Sequence, residues 1–209
     1  MKVLITGVAG FIGSQIAKRF LEEGHKVIGI DNLSGGNFKN IPKEVDFHNI
    51  DLVDASKFSK LPKDLQIILH LAGQSSGEIS FHHPVDDLRK NTISTLNLIK
   101  FGLQNKVKRL LYASSMSVYG DHECINGVRE ESFLRPKSCY GIGKLASEQY
   151  LNVFKDKLPF VSLRMFNVYG PGQDMNNMSQ GMVSIYLSQA IKFRKIIVKG
   201  SLQRFRDFI

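Results

Sequence analysis

A glycine-rich segment between a strand-like run and a helix-like run constrains the fold of this chain most strongly. Residues 2–6 are predicted to form a strand, residues 7–13 carry glycines in the spacing G-x-x-G-x-x-G, and residues 11–23 have helical periodicity. Glycines at such a turn allow a tight bend, close approach of a pyrophosphate and close packing of the helix on the strand. The N–H groups at the start of the helix then favour phosphate oxygens. The segment therefore predicts a dinucleotide-binding unit.

The rest of the chain alternates between apolar, strand-sized runs and longer amphipathic runs, which predicts a parallel sheet covered by helices. The further predicted strands are residues 26–30, 45–50, 66–71, 108–113, 160–164 and 196–199. The further predicted helices are residues 84–105, 138–155 and 180–193. The apolar side predicted for the longest helix contains Val85, Leu88, Ile93, Leu96 and Ile99. These patterns predict an α/β fold of the Rossmann type, with a doubly wound parallel sheet.

The net charge of +9 raises the question of a nucleic-acid partner. The basic residues are spread along the chain, with one denser stretch at residues 192–206. No basic helix, zinc-finger spacing or aromatic RNA-binding signature accompanies them. We therefore interpret the charge as a solvated, lysine-rich surface and predict no nucleic-acid partner; a modest field that favours anionic substrates is the alternative.

The sequence also bears on location and redox state. No stretch reaches the roughly 18 apolar residues that a membrane span needs. Met1 leads directly into the first predicted strand, which leaves no room for a signal peptide, so a cytoplasmic protein without membrane contact is predicted. Cys124 and Cys139 lack metal-ligand spacing, which predicts reduced thiols and no metal site.

An acidic residue, Asp31, stands at the end of the second predicted strand. In a dinucleotide-binding unit, an acid at this place accepts hydrogen bonds from the ribose hydroxyls of the adenosine and repels a 2′-phosphate. Asp31 therefore predicts that the cofactor is NAD rather than NADP.

Tyr140 and Lys144 are four residues apart in a predicted helix, and Ser115 comes just beyond the fifth predicted strand. Positions i and i+4 of a helix are neighbours on one face. An ammonium and a positive nicotinamide ring would lower the pKa of the phenol, so that Tyr140 takes a proton from an alcohol whose carbon gives up a hydride. We predict Ser115, Tyr140 and Lys144 as catalytic residues, with Ser115 holding the substrate oxygen; Ser114 and Ser117 are the alternatives to Ser115.

Several short motifs occur in order along the chain. They are residues 7–13 (GVAGFIG), Asp31, residues 70–73 (HLAG), Asn91, residues 114–120 (SSMSVYG), residues 140–144 (YGIGK) and residues 163–172 (LRMFNVYGPG). Together they resemble the motifs of the extended short-chain dehydrogenase/reductase family, in its nucleotide-sugar epimerase/dehydratase branch. The resemblance covers essentially all 209 residues and implies a nucleotide-diphosphate sugar as substrate.

The resemblance assigns further residues to the cofactor and the substrate. The residues assigned to NAD, including those of the glycine turn, are Gly7, Gly10, Phe11, Ile12, Gly13, Asp31, Asn32, Asp51, Leu52, Leu71, Ala72, Gly73, Asn91, Tyr140 and Lys144. Asp51 is implied to contact the adenine, and residues 71–73 to lie along the cofactor; a purely structural role is the alternative for both. The residues implied to contact the sugar nucleotide are Ser76, Ser115, Asn167 and Arg206.

Residues 116 and 117 bear on the type of reaction. Dehydratases and decarboxylases of the family carry an acid just after the catalytic Ser or Thr, whereas this chain has Met116 and Ser117, which cannot protonate a leaving hydroxyl. The resemblance therefore implies an NAD-dependent 4-epimerase of the UDP-hexose type, which acts through a transient 4-keto sugar with hydride passed to and from bound NAD. A reductase or dehydrogenase of the same family, and an NAD-binding fragment without turnover, are the alternatives.

The resemblance also bears on assembly and completeness. Family members commonly dimerise through a four-helix bundle, which implies that residues 84–105 and 138–155 pair across the two-fold axis of a homodimer. The family sequence continues where this chain ends at Ile209. Residues 1–172 are therefore expected to be the NAD-binding domain and residues 173–209 the start of a small, truncated C-terminal substrate lobe, with impaired turnover as a consequence.

Gly143 departs from the family pattern, in which Ser, Thr or another helix-tolerant residue usually precedes the lysine. Together with Gly141 it puts two glycines in one turn of the predicted helix. Each is expected to weaken that helix by about 1 kcal/mol relative to Ala.

Overall fold

The computed structural model describes residues 1–121, 127–178, 180–198, 200–203 and 205–209. The strands are β1 (Lys2–Thr6), β2 (Lys26–Asp31), β3 (Asp46–Asn49), β4 (Ile67–His70), β5 (Arg109–Ser115) and β6 (Phe160–Met165). The α-helices are α1 (Phe11–Glu22), α2 (Gly77–His82), α3 (Pro84–Leu88), α4 (Ser94–Gln104), α5 (Cys139–Val153) and α6 (Met182–Phe193). Short 3₁₀ turns cover Phe38–Asn40, Ala55–Lys60 and Met116–Val118.

The six strands form one sheet in the order β3-β2-β1-β4-β5-β6. Every strand pair with a described register is parallel; Val3 of β1 stands beside Val27 of β2 and Ile67 of β4. The order reverses between β1 and β4, and parallel sheets bind ligands in the crevice beyond the carboxyl ends of the strands at such a reversal. The predicted Rossmann-type sheet is confirmed, and the glycine turn follows β1 at this crevice.

The central strand β1 is buried on both faces of the sheet. Val3, Leu4 and Ile5 have no exposed surface, and they alternate between two apolar clusters. Ala17 of α1 belongs to one cluster and Leu98 of α4 to the other. A parallel strand covered on both faces is apolar at successive positions, which is why its sequence is a continuous apolar run. This packing fixes the position of the turn that follows β1.

The long helix predicted over residues 84–105 is interrupted by a π-helical segment, Arg89–Ile93, between α3 and α4. A π turn holds an extra residue, so the apolar residues before and after it do not share one side. Val85 and Leu88 are exposed, whereas Ile99 is buried. The single apolar side predicted for this helix is therefore wrong.

The chain divides into two compact units, Met1–Arg164 and Met165–Ile209. The first unit contains the glycine turn and the three predicted catalytic residues, and the second contains α6. The predicted division into an NAD-binding domain of residues 1–172 and a substrate lobe of residues 173–209 stays a prediction.

The short strand predicted over residues 196–199 is wrong. Residues 196–198 have no strand structure, and Lys199 lies outside the described residues. The backbone N–H of Ile197 donates a hydrogen bond to the side-chain oxygen of Gln189 at 2.8 Å. A side chain of α6 thus takes the hydrogen bond that a neighbouring strand would have made.

The structure also bears on the cysteines and on membrane contact. Cys139 is a partly buried free thiol, and Cys124 is not among the described residues. Within the part of the chain that the structure describes, no helix combines the length and the apolar character needed to cross a membrane.

Candidate active site and cofactor-binding site

The turn after β1 has a shape that requires glycine. Gly7 has a positive φ of 73°, and its N–H donates to the carbonyl of Ile30 at 2.8 Å. A Cβ on Gly13 would lie only 2.1 Å from the carbonyl oxygen of Gly7, and a Cβ on Gly7 would lie 2.8 Å from the nitrogen of Ala72. Gly10 precedes α1 without a side chain to cap it, so the first N–H groups of the helix remain available to a ligand. This cradle fits the pyrophosphate of NAD.

Asp31 lies at the carboxyl end of β2 and is 9% exposed. Its Oδ2 accepts a hydrogen bond from the N–H of Ala9 at 3.0 Å, and its Oδ1 accepts one from the N–H of Leu33 at 2.8 Å. The carboxylate therefore braces the glycine turn. Because each carboxylate oxygen can accept two hydrogen bonds, Asp31 retains capacity for the ribose hydroxyls that the sequence assigns to it.

Asp51 follows β3 and lies beside the end of β2. Its Oδ2 accepts a hydrogen bond from Asn32 Nδ2 at 3.1 Å, and its Oδ1 accepts one from the N–H of Val53 at 2.9 Å. Leu52 is buried next to it. The structure thus places Asn32, Asp51 and Leu52, which are predicted to bind the cofactor, next to the end of the strand that carries Asp31.

A buried polar group that the sequence analysis missed supports the turn after β4. Thr6 Oγ1 accepts hydrogen bonds from the N–H groups of Leu71 and Ala72 at 3.2 Å each, and it lies 2.9 Å from His70 Nδ1. His70 Nε2 lies 3.0 Å from Thr95 Oγ1. Burial lowers the pKa of His70 to about 3, so this ring is neutral and structural. The position of His70 at the end of an apolar strand was the sequence feature from which a buried, structural histidine could have been predicted.

Ser115, Tyr140 and Lys144 come together at the carboxyl end of β5. Ser115 is the last residue of the strand, and Tyr140 and Lys144 lie one turn apart near the start of α5. All three are buried, with exposed fractions of 9%, 8% and 4%. Lys144 Nζ donates to the carbonyl of Ala113 at 2.9 Å and lies 5.6 Å from the centroid of the Tyr140 ring.

The hydrogen bonds of the neighbouring serines favour Ser115 over its alternatives. Ser114 Oγ donates to the buried carboxylate oxygen Glu148 Oε1, so its proton is not available to a substrate. The Oγ atoms of Ser115 and Ser117 are 3.2 Å apart, and the N–H of Ser117 donates to Ser115 Oγ at 3.1 Å. The hydroxyl of Ser115 also acts to lower the pKa of the Tyr140 phenol.

Burial shifts the pKa of Tyr140 and of Lys144, the two predicted catalytic side chains of α5. It lowers the pKa of Lys144 to about 8, against the opposing charges of Asp87 and Glu148. It raises the pKa of Tyr140, and this effect outweighs the lowering effect of the Ser115 hydroxyl. The protein groups therefore do not lower the pKa of the phenol, so the predicted lowering by the Lys144 ammonium is wrong, and the effect of a nicotinamide ring stays a prediction.

The residues assigned to the sugar nucleotide are in different places. Ser76 lies in the first unit, and its Oγ accepts a hydrogen bond from the N–H of Ile79 at 3.2 Å as the cap of α2. Asn167 and Arg206 both lie in the second unit. Asn167 Nδ2 donates to the carbonyl of Asp207 at 2.6 Å, which joins the two chain segments that carry these residues. Their contact with a sugar nucleotide stays a prediction.

The two glycines of α5 differ in their surroundings, which predicts opposite effects of replacing them by alanine. A Cβ on Gly143 would meet Asp87 and Thr92 at ordinary contact distances of 3.4 and 3.5 Å. A Cβ on Gly141 would lie 2.6 Å from the carbonyl oxygen of Ser117. We expect Gly143→Ala to raise the free energy of unfolding by up to about 1 kcal/mol, and Gly141→Ala to lower it by about 1–3 kcal/mol. Urea denaturation measures both free energies of unfolding. A larger loss of stability from Gly143→Ala than from Gly141→Ala would contradict the predicted difference between the two glycines.

Proteins of known function resemble this chain over nearly its whole length. Residues 3–209 match the model of the NAD dependent epimerase/dehydratase family. UDP-glucose 4-epimerase of Mycolicibacterium smegmatis is 33% identical over 218 residues, which cover 100% of this chain and 69% of that protein. UDP-glucuronic acid decarboxylase 1 of Xenopus tropicalis is 33% identical over 215 residues, which cover 99% of this chain and 50% of that protein.

A solved structure extends the likeness to three dimensions. The crystal structure of UDP-glucose 4-epimerase from Thermotoga maritima, with UDP-glucose, superimposes with a TM-score of 0.94 at 32% identity, covering 100% of this chain and 69% of that one. The chain thus spans about two thirds of the length of these epimerases and half of the decarboxylase. From the family match, the sheet order and a glycine turn that fits NAD, we conclude that this chain belongs to the NAD-dependent epimerase/dehydratase family.

Proposed function

We propose that the chain is an NAD-dependent nucleotide-sugar 4-epimerase of the UDP-hexose type. The observation that carries this proposal is the meeting of Ser115, Tyr140 and Lys144 at the sheet edge that also bears the glycine turn. A hydroxyl, a phenol and an ammonium beside a nicotinamide suit the joint transfer of a hydride and a proton at an alcohol carbon. Relatives named UDP-glucose 4-epimerase support the choice of substrate class.

Each of the three residues has a distinct part in the proposed reaction. Bound NAD supplies the group that accepts a hydride from C4 of the sugar and returns it. Tyr140 takes the proton of the C4 hydroxyl as the ketone forms and gives it back as the alcohol forms again. Ser115 donates a hydrogen bond to the same oxygen, and Lys144 contributes positive charge beside the phenol. Because Ser115 and Tyr140 are almost fully buried, little water competes for that oxygen.

The proposed NAD site runs along the carboxyl ends of four strands. The glycine turn and the first turn of α1, where Phe11 and Ile12 follow Gly10, would hold the pyrophosphate. Asp31 holds the adenosine ribose and, by its charge, disfavours the 2′-phosphate of NADP. The remaining proposed contacts come from Asn32, Asp51, Leu52, Leu71, Ala72, Gly73, Asn91, Tyr140 and Lys144.

Two neighbouring residues favour an epimerase over a dehydratase or a decarboxylase. Elimination of water needs a general acid at the leaving group. Met116 and Ser117, which follow the proposed catalytic serine, carry no carboxyl group. A decarboxylase and an epimerase of the family are equally identical in sequence to this chain, so identity does not distinguish the two activities. The lack of a carboxyl group after the proposed catalytic serine is what supports epimerisation.

The proposed substrate contacts are Ser76, Ser115, Asn167 and Arg206. An arginine fork suits the paired oxygens of a diphosphate. Arg206 is exposed, and its guanidinium donates only to the neighbouring carbonyl of Phe205 among the described hydrogen bonds, at 3.0 Å. Its remaining N–H groups are available to an anionic ligand.

We further propose that the protein is a homodimer in which α3, α4 and α5 of one protomer pair with the same helices of its partner. Helices α2 and α3 pack against α5. The exposed apolar side chains of α3 and α5 include Val85, Leu88, Ile142 and Val153. Exposed apolar side chains on neighbouring helices are what a self-association interface would cover.

Release of cofactor on denaturation tests the proposed function. The purified protein, heated without added cofactor, is expected to release NAD in nearly stoichiometric amount, because an epimerase regenerates its cofactor in every cycle. A protein that is empty and binds NADPH in preference to NAD would support the reductase alternative. A protein that binds neither dinucleotide would contradict the proposal.

A further inference from the structure

Asp87 is a buried carboxylate to which the proposed mechanism gives no part. It lies in α3, one turn before Asn91, and is 1% exposed. Its Oδ1 accepts hydrogen bonds from Gln74 Nε2 at 2.8 Å and from Asn91 Nδ2 at 3.0 Å. Its Oδ2 is buried, and no hydrogen-bond partner for it occurs among the described residues. A buried carboxylate with one free oxygen is costly, which calls for a compensating charge.

The hydrogen bond from Asn91 fixes the direction of its amide. Because Nδ2 donates to Asp87, Asn91 Oδ1 must point the other way. A Cβ on Gly73 would lie 2.5 Å from Asn91 Oδ1 and 3.5 Å from Lys144 Nζ. The amide oxygen and the ammonium thus both border the backbone of Gly73, in the turn proposed to lie along NAD. Asn91 Oδ1 has no partner within the described part of the protein, which leaves it available to a ligand.

Asp87 also anchors the segment between the turn after β4 and helix α2, which includes Ser76. Gln74, which donates to Asp87, donates from the same nitrogen to the carbonyl of Ser76 at 2.8 Å. The N–H of Ser76 in turn donates to Gln74 Oε1. The carboxylate of Asp87 therefore anchors the segment that leads from the cofactor turn to α2.

Two acids, Asp87 and Glu148, act electrostatically on Lys144. Lys144 is 4% exposed and is faced by two acids, Asp87 from α3 and Glu148 from its own helix. Glu148 is already neutralised by Arg164, whose Nη2 lies 2.8 Å from its Oε2. No cation, Lys144 included, lies within salt-bridge distance of Asp87 in the described ranges, so the charges of Asp87 and Lys144 act across a longer distance. Asp87 Oδ2 nevertheless borders the helix that carries Lys144, since a Cβ on Gly143 would lie 3.4 Å from it.

The other titratable groups near Lys144 do not supply a negative charge. His70 of β4 is kept neutral because burial lowers its pKa to about 3. Tyr112 of β5, whose ring centroid lies 4.9 Å from Lys144 Nζ, and Tyr140 are both kept protonated, since burial raises the pKa of each phenol.

We propose that Asp87 is a positioning residue of the active site, which orients the amide of Asn91 towards the cofactor turn and acts as the counter-charge of the buried Lys144 ammonium. The proposal rests on the proposed function for its catalytic meaning, since Lys144 must be charged beside Tyr140. The proposed coupling between the charges of Asp87 and Lys144 does not need cofactor or substrate, so it is tested on the protein without them.

Asp87→Asn tests the proposal, because it removes the charge and keeps the shape and one acceptor oxygen. Lysine-selective ¹³C NMR of the full chain follows the titration of Lys144, with its signal identified by Lys144→Arg. We expect the titration midpoint to move down from about 8 by at least about one pH unit. Binding of NAD by the cofactor-free protein at pH 7.5, measured by calorimetry, is expected to weaken by at least about threefold, in proportion to the charged fraction of Lys144.

Asp86→Asn is the matched control. Asp86 is the neighbouring acid of the same helix, but its side chain is 54% exposed and pairs with Lys90 at 2.7 Å. It is expected to leave both the Lys144 midpoint and the affinity for NAD unchanged. An unchanged Lys144 midpoint in the folded Asp87→Asn protein would overturn the proposal, as would an equal shift in the Asp86→Asn protein.

A measurement on the unsubstituted protein keeps the proposal testable if Asp87→Asn does not fold. Carboxyl ¹³C NMR reports whether Asp87 is ionised at pH 7, as a counter-charge must be. Burial raises the pKa of Asp87, and a carboxyl that is neutral at pH 7 would overturn the proposal. If the unsubstituted protein binds no NAD, the proposed function fails, but the titrations of Lys144 and Asp87 still decide whether the two charges are coupled.

Discussion

Replacing Tyr140 by phenylalanine is expected to reduce turnover of a nucleotide sugar by about 10²- to 10⁴-fold, the usual contribution of a positioned general acid–base. The phenol oxygen is the atom that carries the proton in the proposed reaction. The ring is 8% exposed and packs near Lys144, and phenylalanine keeps that packing. We therefore expect NAD affinity to change only a few-fold. Conversion of radiolabelled UDP-galactose and calorimetric titration with NAD measure the two effects.

Tyr150→Phe is the matched control for this substitution. Tyr150 lies on the same helix, but 43% of its surface is exposed. Removing its hydroxyl is expected to leave turnover and NAD binding unchanged. If Tyr140→Phe retained more than about a tenth of the turnover, the phenol would not be the proton-transfer group.

Replacing Gly13 by alanine is expected to abolish NAD binding. The new methyl group would lie 2.1 Å from the carbonyl oxygen of Gly7, and the backbone of the glycine turn would have to move to make room. Such overpacking typically lowers the free energy of unfolding by about 1–3 kcal/mol. Because the pyrophosphate is proposed to lie on this backbone, we expect affinity for NAD to fall by at least about 100-fold, or roughly 3 kcal/mol.

Gly35→Ala serves as the control for Gly13→Ala, since a Cβ on Gly35 would meet nothing within 4 Å. Calorimetric titration with NAD and thermal denaturation compare the two proteins. Unweakened NAD binding by a folded Gly13→Ala protein would mean that the dinucleotide does not lie on this turn.

The fold was predictable where local sequence and packing agree. Residues 2–6 form an apolar strand with helices on both faces, and the glycines that follow fit a turn that admits no Cβ. The π turn was not predictable, because it depends on contacts between elements. The carbonyl of Asn91 accepts hydrogen bonds from Thr95 Oγ1 at 2.6 Å and, across to α5, from Ser147 Oγ at 3.1 Å.

The candidate site was predictable where strand ends converge. The carboxyl ends of parallel strands meet at one edge of the sheet, which brings Ser115 and the glycine turn together with α5. Asp87 was missed because two successive acids in the first turn of a predicted helix have the appearance of a solvated surface. The structure separates them: Asp86 is exposed and Asp87 is buried. The spacing of Asp87 and Asn91, one helical turn apart, was the available signal.

The fate of a hydrogen label at C4 tests the central claim most directly. The protein is incubated with UDP-[4-²H]glucose without added cofactor, and the sugar nucleotides are analysed by NMR and mass spectrometry. A 4-epimerase predicts UDP-galactose that retains deuterium at C4, because the hydride leaves to bound NAD and returns to the other face of the same carbon. Deuterium that accumulates in free NADH, or that is lost from a product of unchanged configuration at C4, would contradict the account.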